Sequence, residues 1–180
     1  MEKFELTKET LLRARTYVPL EEKMAFVDEN ASKCFDRLQI SADNDAMPPM
    51  YMENTALKSR YLMYALAVKY LRLAVESEFV KDEPSALLTV NEYDRFAGAH
   101  VLNQIQRFKS DAETRDICFD LLTDYADFEK RFNAQIHGLL TVQNDAVMRQ
   151  SMMMKADMAQ MPALLGEIKK LGEKKDGEGA

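Results

Sequence analysis

The feature that most constrains the fold is the run Tyr61–Val75, YLMYALAVKYLRLAV, in which Lys69 and Arg72 are the only charged residues. A helix that is apolar on nearly every side is normally a buried one. The run is too short to cross a bilayer, which needs about 20 apolar residues. We therefore predict a buried central helix, with apolar stripes from Leu57 to Phe79, against which the other helices pack.

The composition favours helices over turn-rich β structure. Glycine and proline are scarce, with 6 and 5 copies, and they lie between segments of helical apolar spacing. We predict an all-α fold, a bundle of about five to six helices with a long C-terminal helix, bent or projecting, and a short last helix. The 180 residues are expected to form a single helical domain over residues 1–172. Within it the Met-rich segment 147–171 is predicted to act as an interface arm, and residues 173–180 to form a disordered tail.

Capping residues and a proline predict where the first helices begin. Thr7 suits the cap of a helix over residues 8–16, and Pro19 suits the first turn of the next helix. The apolar residues of that second helix are spaced alternately by four and three, which predicts one buried stripe: Leu20, Met24, Val27, Ala31, Cys34 and Leu38. Residues 41–53 are rich in Asp, Asn and Pro, which predicts a loop. Asn54 or Thr55 can then cap the central helix.

Two capping boxes mark the later helices. Thr89 and Glu92 form the first box, and the helix that follows is predicted to run to about Phe108. Ser110 and Glu113 form the second box, at the start of the long helix. So short a joint favours an antiparallel pair of helices.

The predicted length of the last helix does not match that of the central helix. An unbroken helix from Asp111 to Gln160 would be about 75 Å long, roughly twice the length of the central helix. We therefore predict a break or bend near Gly138, with projection of the distal half as the alternative. Pro162 is predicted to open a separate short helix that ends at Gly172, and Gly98 is predicted to mark a close helix crossing.

No motif for catalysis or metal binding is found. His100 and His137 are the only histidines, and neither has a carboxylate or a cysteine three or four residues further on. Cys34 and Cys118 fall on apolar stripes, which predicts reduced core thiols, with a disulfide as the alternative. A Cys–His pair that meets only in the fold stays open. We expect a non-enzymatic protein with no catalytic residues, no cofactor and no metal.

An acidic face is predicted near the start of the long helix. The segment 111–129 holds seven acids and one base, and the whole chain carries a net charge of −6. Five of the acids share one helix face: Glu113, Asp116, Asp120, Asp124 and Asp127. The face is a solvated outer surface, a docking surface for a basic partner or a mimic of a nucleic-acid backbone. The net charge disfavours binding to nucleic acid or to an anionic membrane.

A methionine cluster lies further along the same helix. Six of the chain's 12 methionines belong to it: Met148, Met152, Met153, Met154, Met158 and Met161. Methionine is flexible and polarizable, and it is over-used on adaptable binding surfaces. Ordinary core packing and a labile ligand or membrane contact are the alternatives. We predict that these residues form an interface with a second copy or with another protein.

One segment resembles a known group of proteins. Residues 48–63, PPMYMENTALKSRYLM, and the earlier residues 17–23, YVPLEEK, are similar to segments of small uncharacterised helical proteins of phages and prophages of Gram-positive bacteria. The resemblance contains no catalytic motif, so it implies no site residues. It implies a phage-encoded helical protein from the virion-assembly region.

These observations lead to one functional prediction and one rival. The first is a protein–protein interaction protein, a phage or prophage structural or virion-assembly component that self-associates or binds a partner protein. The rival is a small acidic regulator or inhibitor that docks on a basic host protein or a nucleic-acid enzyme. The first residues, MEKFELTKET, lack the apolar core of a signal peptide. We therefore expect a cytoplasmic location in the bacterial host cell, or a place in the virion.

Overall fold

The computed structural model of the chain describes residues 4–38, 50–80 and 83–176. The chain divides into two compact units, Met1–Asp36 with Glu53–Leu140, and Arg37–Met52 with Thr141–Ala180. The described residues are mostly helical, with four short strands. The predicted helical character and the long C-terminal helix are therefore confirmed, but a purely all-α fold is not, because two small sheets are present.

The helices are, in chain order, α1 Lys8–Leu12, α2 Leu20–Asn30, α3 Thr55–Tyr64, α4 Val90–Gly98, α5 Val101–Arg107 and α6 Arg115–Asp176. A π-helix, Ala65–Tyr70, continues α3, and short 3-10 helices cover Ala31–Lys33 and Phe108–Ser110. The strands are β1 Phe35–Leu38, β2 Met50–Glu53, β3 Ser77–Val80 and β4 Glu83–Leu88.

The strands replace the ends of two predicted helices. β1 pairs with β2, and β3 pairs antiparallel with β4, with Ser77 opposite Leu88. The second predicted helix therefore stops at Asn30, because the carbonyl of Cys34 accepts a hydrogen bond from the N–H of Asn54 (2.7 Å) rather than continuing a helical ladder. Residues 50–53, predicted as loop, form β2, and residues 41–49 of that segment lie outside the described residues.

The predicted central helix is shorter than its apolar pattern. It ends at Tyr70, and Arg72 has φ 54, a left-handed conformation that a regular helix does not contain. Residues 77–79, which the apolar stripe to Phe79 places in the same helix, belong to β3 instead. Its central position is confirmed, because Tyr61, Leu66 and Tyr70 are fully buried.

The core of the first unit forms between α2, α3 and the first part of α6. Phe26 of α2 lies 6.0 Å from Phe132 of α6 between ring centroids, and Tyr61 of α3 lies 6.4 Å from the same ring. The apolar spacing of α6 predicts a buried stripe of Cys118, Leu121, Tyr125, Phe128 and Phe132 that continues through Leu139, Val142 and Ala146, with Ile136 beside it. The stripe is buried as far as Phe132, and Ile136 is also buried. The continuation is wrong, because Val142 and Ala146 are exposed. Tyr70 meets Tyr125 edge-on, so the α3 chain runs antiparallel to α6.

Three predicted N-caps are confirmed, because a side-chain oxygen of each accepts a hydrogen bond from a backbone N–H of the first turn: Thr7, Asn54 and Thr89. The capping box predicted at Ser110 and Glu113 is wrong. The Ser110 hydroxyl donates to the carbonyl of Arg107 (2.8 Å), and Asp111 accepts from the N–H of Glu113 instead (2.8 Å). As a result α6 begins at Arg115.

The helix predicted between Thr89 and Phe108 is in fact two helices. His100 adopts φ 51 between α4 and α5, and this left-handed residue ends the first helix and starts the second. The close crossing predicted at Gly98 is wrong, because no atom lies within 4 Å of the place where a Cβ would stand.

The long helix α6 is continuous over 62 residues. A break near Gly138 is therefore wrong, because one glycine costs a helix only about 1 kcal/mol relative to alanine, and a bend there stays a prediction. The separate last helix is also wrong, since Pro162 lies inside α6. Of the predicted tail, residues 173–176 are helical, and residues 177–180 lie outside the described residues.

The continuity of α6 at Gly138 gives a first prediction. Gly138→Ala is expected to raise the free energy of unfolding by about 0.5–1 kcal/mol, because alanine restricts the unfolded chain and favours the helix. No atom within 4 Å opposes the added methyl group. Equilibrium denaturation in urea measures the change. A loss of stability would mean that the backbone leaves the helical conformation at this position.

Candidate interaction surfaces

The acidic face is not uniformly exposed, because Asp124 belongs to a buried polar network of the first unit. The Asp124 side chain is 12% exposed, and its Oδ1 lies 2.6 Å from Nζ of Lys23, which is 3% exposed. The other oxygen, Oδ2, accepts hydrogen bonds from the hydroxyl of Tyr70 (2.9 Å) and the N–H of Val18 (3.0 Å). One carboxylate thus joins three segments that are distant in sequence.

Local structure positions the groups around Asp124. Pro19 precedes α2, so Lys23 lies in the first turns of that helix, where its N–H donates to the carbonyl of Pro19 (3.0 Å). The π-helix adds one residue to a turn, which turns Tyr70 by about 100° relative to a regular helix. Burial, together with the hydrogen bond to Asp124, raises the pKa of Tyr70, which therefore remains a donor.

Asp127 extends this network towards the surface. Its Oδ2 accepts from Nε of Arg131 (2.9 Å) and from Nζ of Lys23 (3.1 Å). The hydrogen bond from Arg131 and then that from Lys23 lower the pKa of Asp127 below its ordinary value. Because this folded-state pKa is depressed, the contact stabilises the fold at neutral pH, and its contribution is lost as the pH falls through the folded pKa.

Of the remaining acids of the face, one has a basic partner and two do not. Glu113 is bound by Lys8 (2.9 Å), which also contacts Asp111 (3.1 Å). Asp116 and Asp120 are exposed, and in the described part of the chain neither forms an ion pair. Of the five predicted residues, these two are therefore the exposed carboxylates without a basic partner. The rest of the face is held by Lys8, Lys23 and Arg131.

A shallow groove of about 500 Å³ adjoins the network, and it is lined by residues such as Tyr17, Leu20, Lys23, Asp120 and Thr123. The Lys23 ammonium also lies 5.4 Å from the ring centroid of Tyr17. Lys23 and Asp124 bind each other and structural groups around them. The arrangement therefore holds α2, the π-helix and α6 together.

The two cysteines show no sign of a reactive or metal-binding site. Among the residues that the structure describes, no three Asp, Glu, His or Cys side chains are grouped so that they could hold a metal ion. Both cysteines are free and buried. Burial raises the pKa of Cys34 to about 12 and also raises the pKa of Cys118. An activated thiol needs the opposite shift.

The thiols give a second prediction. In the native chain Cys34 and Cys118 are expected not to react with a thiol reagent such as DTNB at pH 8 within minutes, because burial both shields them and keeps them protonated. Both thiols should react once the chain is unfolded in urea. The absorbance of the released thiolate measures the number of reacting groups. A fast-reacting thiol in the native protein would contradict the burial.

The methionine cluster lies on α6 in the second unit. We call residues 142–154 of α6 the methionine segment. Large apolar side chains are exposed along it: Val142 68%, Met148 50%, Met152 63%, Met153 68% and Met154 36%. Met158 and Met161 belong to the same helix, but their side chains lie outside the described residues. The four described methionines of the cluster therefore lie on the surface of the chain and are not part of its core.

One side of the methionine segment is held by β2. Oδ1 of Asn144 accepts from the N–H of Tyr51 (3.0 Å), and Nδ2 of Asn144 donates to the carbonyl of Tyr51 (3.1 Å). Through these two bonds the Asn144 side chain satisfies both backbone groups of Tyr51, as a residue of a neighbouring strand would. Val142 and Met153 lie on the opposite side of the helix from Asn144, at 100° per residue, and both are exposed. The sequence contains no local signal for this pairing, because the two residues are 93 positions apart.

Comparison of the chain with protein families, curated proteins and solved structures finds no match. Within the described residues, no helix has the length and apolar character needed to span a membrane. The functional proposal therefore rests on the acidic face and the methionine segment.

Proposed function

We propose that the chain is a protein–protein interaction protein that binds through the methionine segment. The observation that carries this proposal is the exposure of five large apolar side chains between residues 142 and 154. Removing apolar surface from water contributes about 25 cal/mol per Å². Clustered exposed apolar residues are typical of binding surfaces, and methionine adapts its shape to a partner.

The finer proposal is that the partner belongs to phage assembly and that the chain acts there without catalysis. The resemblance of residues 17–63 to helical phage proteins supports this proposal. The raised pKa of both cysteines also supports it, because a nucleophilic thiol would need a lowered pKa. Mass spectrometry of purified phage particles and of assembly intermediates tests it. Presence of the chain in either sample is expected, and absence from both would overturn the assembly role.

Site-specific photo-crosslinking tests the interaction surface. A photo-reactive amino acid placed at Met153 is expected to give an adduct of discrete mass in the cells that naturally produce the chain. Val90 is the matched control position, because it is an equally exposed apolar residue of a helix in the first unit. Adducts from Met153 and none from Val90 support the proposal. Equal yields from the two positions, or none from either, would overturn it.

A second candidate is the acidic regulator, and the exposed ring of Phe119 favours it. Phe119 lies between Asp116 and Asp120 on α6 and is 60% exposed, so apolar and acidic groups share one surface that suits a basic, partly apolar partner. The same crosslinking experiment separates the two candidates. Adducts from position 120 and none from Met153 would favour the regulator. Asp116→Lys with Asp120→Lys should then abolish the adduct without unfolding the chain.

A further inference from the structure

The uncovered side of the methionine segment carries a stripe of exposed residues. Its members are all exposed: Val142, Asp145, Ala146, Arg149, Met152, Met153 and Ala156. We call these residues the pairing stripe. Val142, Arg149 and Ala156 are seven residues apart, and so are Asp145 and Met152. This spacing lets the stripe face one neighbouring helix, and two of its positions are charged where a regular coiled coil has apolar residues. The other side, which includes Asn144, is partly buried.

We propose that the occupant of the pairing stripe is the same stripe of a second copy of this chain, in antiparallel orientation. This inference rests on the proposed function and names its partner. The stripe contains one acid, Asp145, and one base, Arg149, and both are exposed. No ion pair joins them within the described part of the chain. The stripe therefore has charges available for a partner of matching pattern.

The charges select the orientation. In a parallel pair in register, Asp145 would lie against Asp145 and Arg149 against Arg149, and both contacts would be repulsive. In an antiparallel pair with its two-fold axis beside Val147, each Asp145 lies opposite Arg149 of the second copy. A two-fold interface requires this reciprocity, since residue i meets j and j meets i. The two-fold interface thus contains two equivalent pairs of Asp145 and Arg149.

The same register also matches the apolar residues. It places Val142 of one copy opposite Met152 of the other, and these side chains are 68% and 63% exposed in the single chain. Their burial supplies the attraction, and the charge pairs specify the register. Another protein would need an independent copy of this charge pattern, whereas a second chain already has it.

Charge exchange tests the pairing. Asp145→Arg and Arg149→Asp are each expected to weaken self-association at least tenfold, measured by sedimentation velocity, because two attractive contacts become repulsive. Asp145→Arg/Arg149→Asp should restore it, because the exchanged charges meet again. Circular dichroism checks that each variant keeps its helix. Self-association that is insensitive to both single changes, or a double variant no better than either single one, would overturn the antiparallel register.

Cysteine crosslinking tests the orientation directly. Val142→Cys mixed with Met152→Cys is expected to form an intermolecular disulfide, whereas Val142→Cys alone should form little. The native Cys34 and Cys118 are fully buried and do not compete. Crosslinking of Val142→Cys alone would indicate a parallel pair and overturn the inference. A monomer at several hundred micromolar would also overturn it, and the adduct from Met153 would then decide whether the proposed function survives with another partner.

Discussion

Replacing Asp124 by alanine is expected to lower the free energy of unfolding by about 3–5 kcal/mol, the cost of breaking a buried ion pair by removing one partner. Lys23 would keep only Asp127 as an acidic partner although its side chain is 3% exposed. The hydroxyl of Tyr70 and the N–H of Val18 would also lose their acceptor. Equilibrium unfolding in urea measures the loss.

Asp120→Ala is the matched control, because Asp120 is an exposed acid one turn earlier on the same helix. Its effect is expected to stay within about 0.5 kcal/mol. Lys23→Met with Asp124→Leu should recover the part of the loss that comes from the unpaired Lys23, since buried ion pairs can be replaced by apolar residues of similar size. The part that comes from the Tyr70 hydroxyl and the Val18 N–H should remain, because leucine offers them no acceptor. Equal losses in the free energy of unfolding for Asp120→Ala and Asp124→Ala would contradict the buried network. They would indicate that Asp124 is as exposed as Asp120.

Replacing Phe132 by alanine is the second change with a large expected effect, a loss of about 3–5 kcal/mol. Phe132 is fully buried and meets the rings of Phe26, Tyr61 and Phe128, at centroid distances of 6.0, 6.4 and 6.2 Å. Its removal would leave a cavity where α2, α3 and α6 join. The same urea titration measures the effect.

Phe119→Ala is the control for Phe132→Ala, because Phe119 lies on the same helix and is mostly exposed. Its effect on the free energy of unfolding is expected to be within about 0.5 kcal/mol. The pair of variants therefore separates the buried side of α6 from the exposed side. Similar losses at the two positions would show that the helix packs on a different side.

The sequence predicts best the features that depend on neighbouring residues. The caps at Thr7, Asn54 and Thr89 need only a side chain and the backbone two or three residues later. The buried stripe of α6, from Cys118 to Phe132, needs only the helical period. The caps and this stripe are found where they were predicted, whereas Val142 and Ala146, to which the same period extends the stripe, are exposed.

The sequence predicts poorly the features that depend on distant partners. Residues 35–38 continue a helical spacing, but their strand forms against β2, whose position no local pattern marks. The acid at position 124 has the same spacing as the exposed acids around it. Its burial depends on Lys23, which is 101 residues away. A periodic pattern identifies a helix face, but it does not identify which members of that face meet another element.

Methionine oxidation tests the binding surface most directly. We expect hydrogen peroxide to oxidise Met152 and Met153 rapidly in the dilute purified chain, and several-fold more slowly in the cells that produce it, because an interface shields the sulfur atoms. Met52 is the internal control, since it is 53% exposed and lies outside the methionine segment. Mass spectrometry of peptides measures each rate. Protection of Met152 and Met153 but not of Met52 is the predicted result, and equal oxidation of all three in both conditions would contradict an interface at the methionine segment.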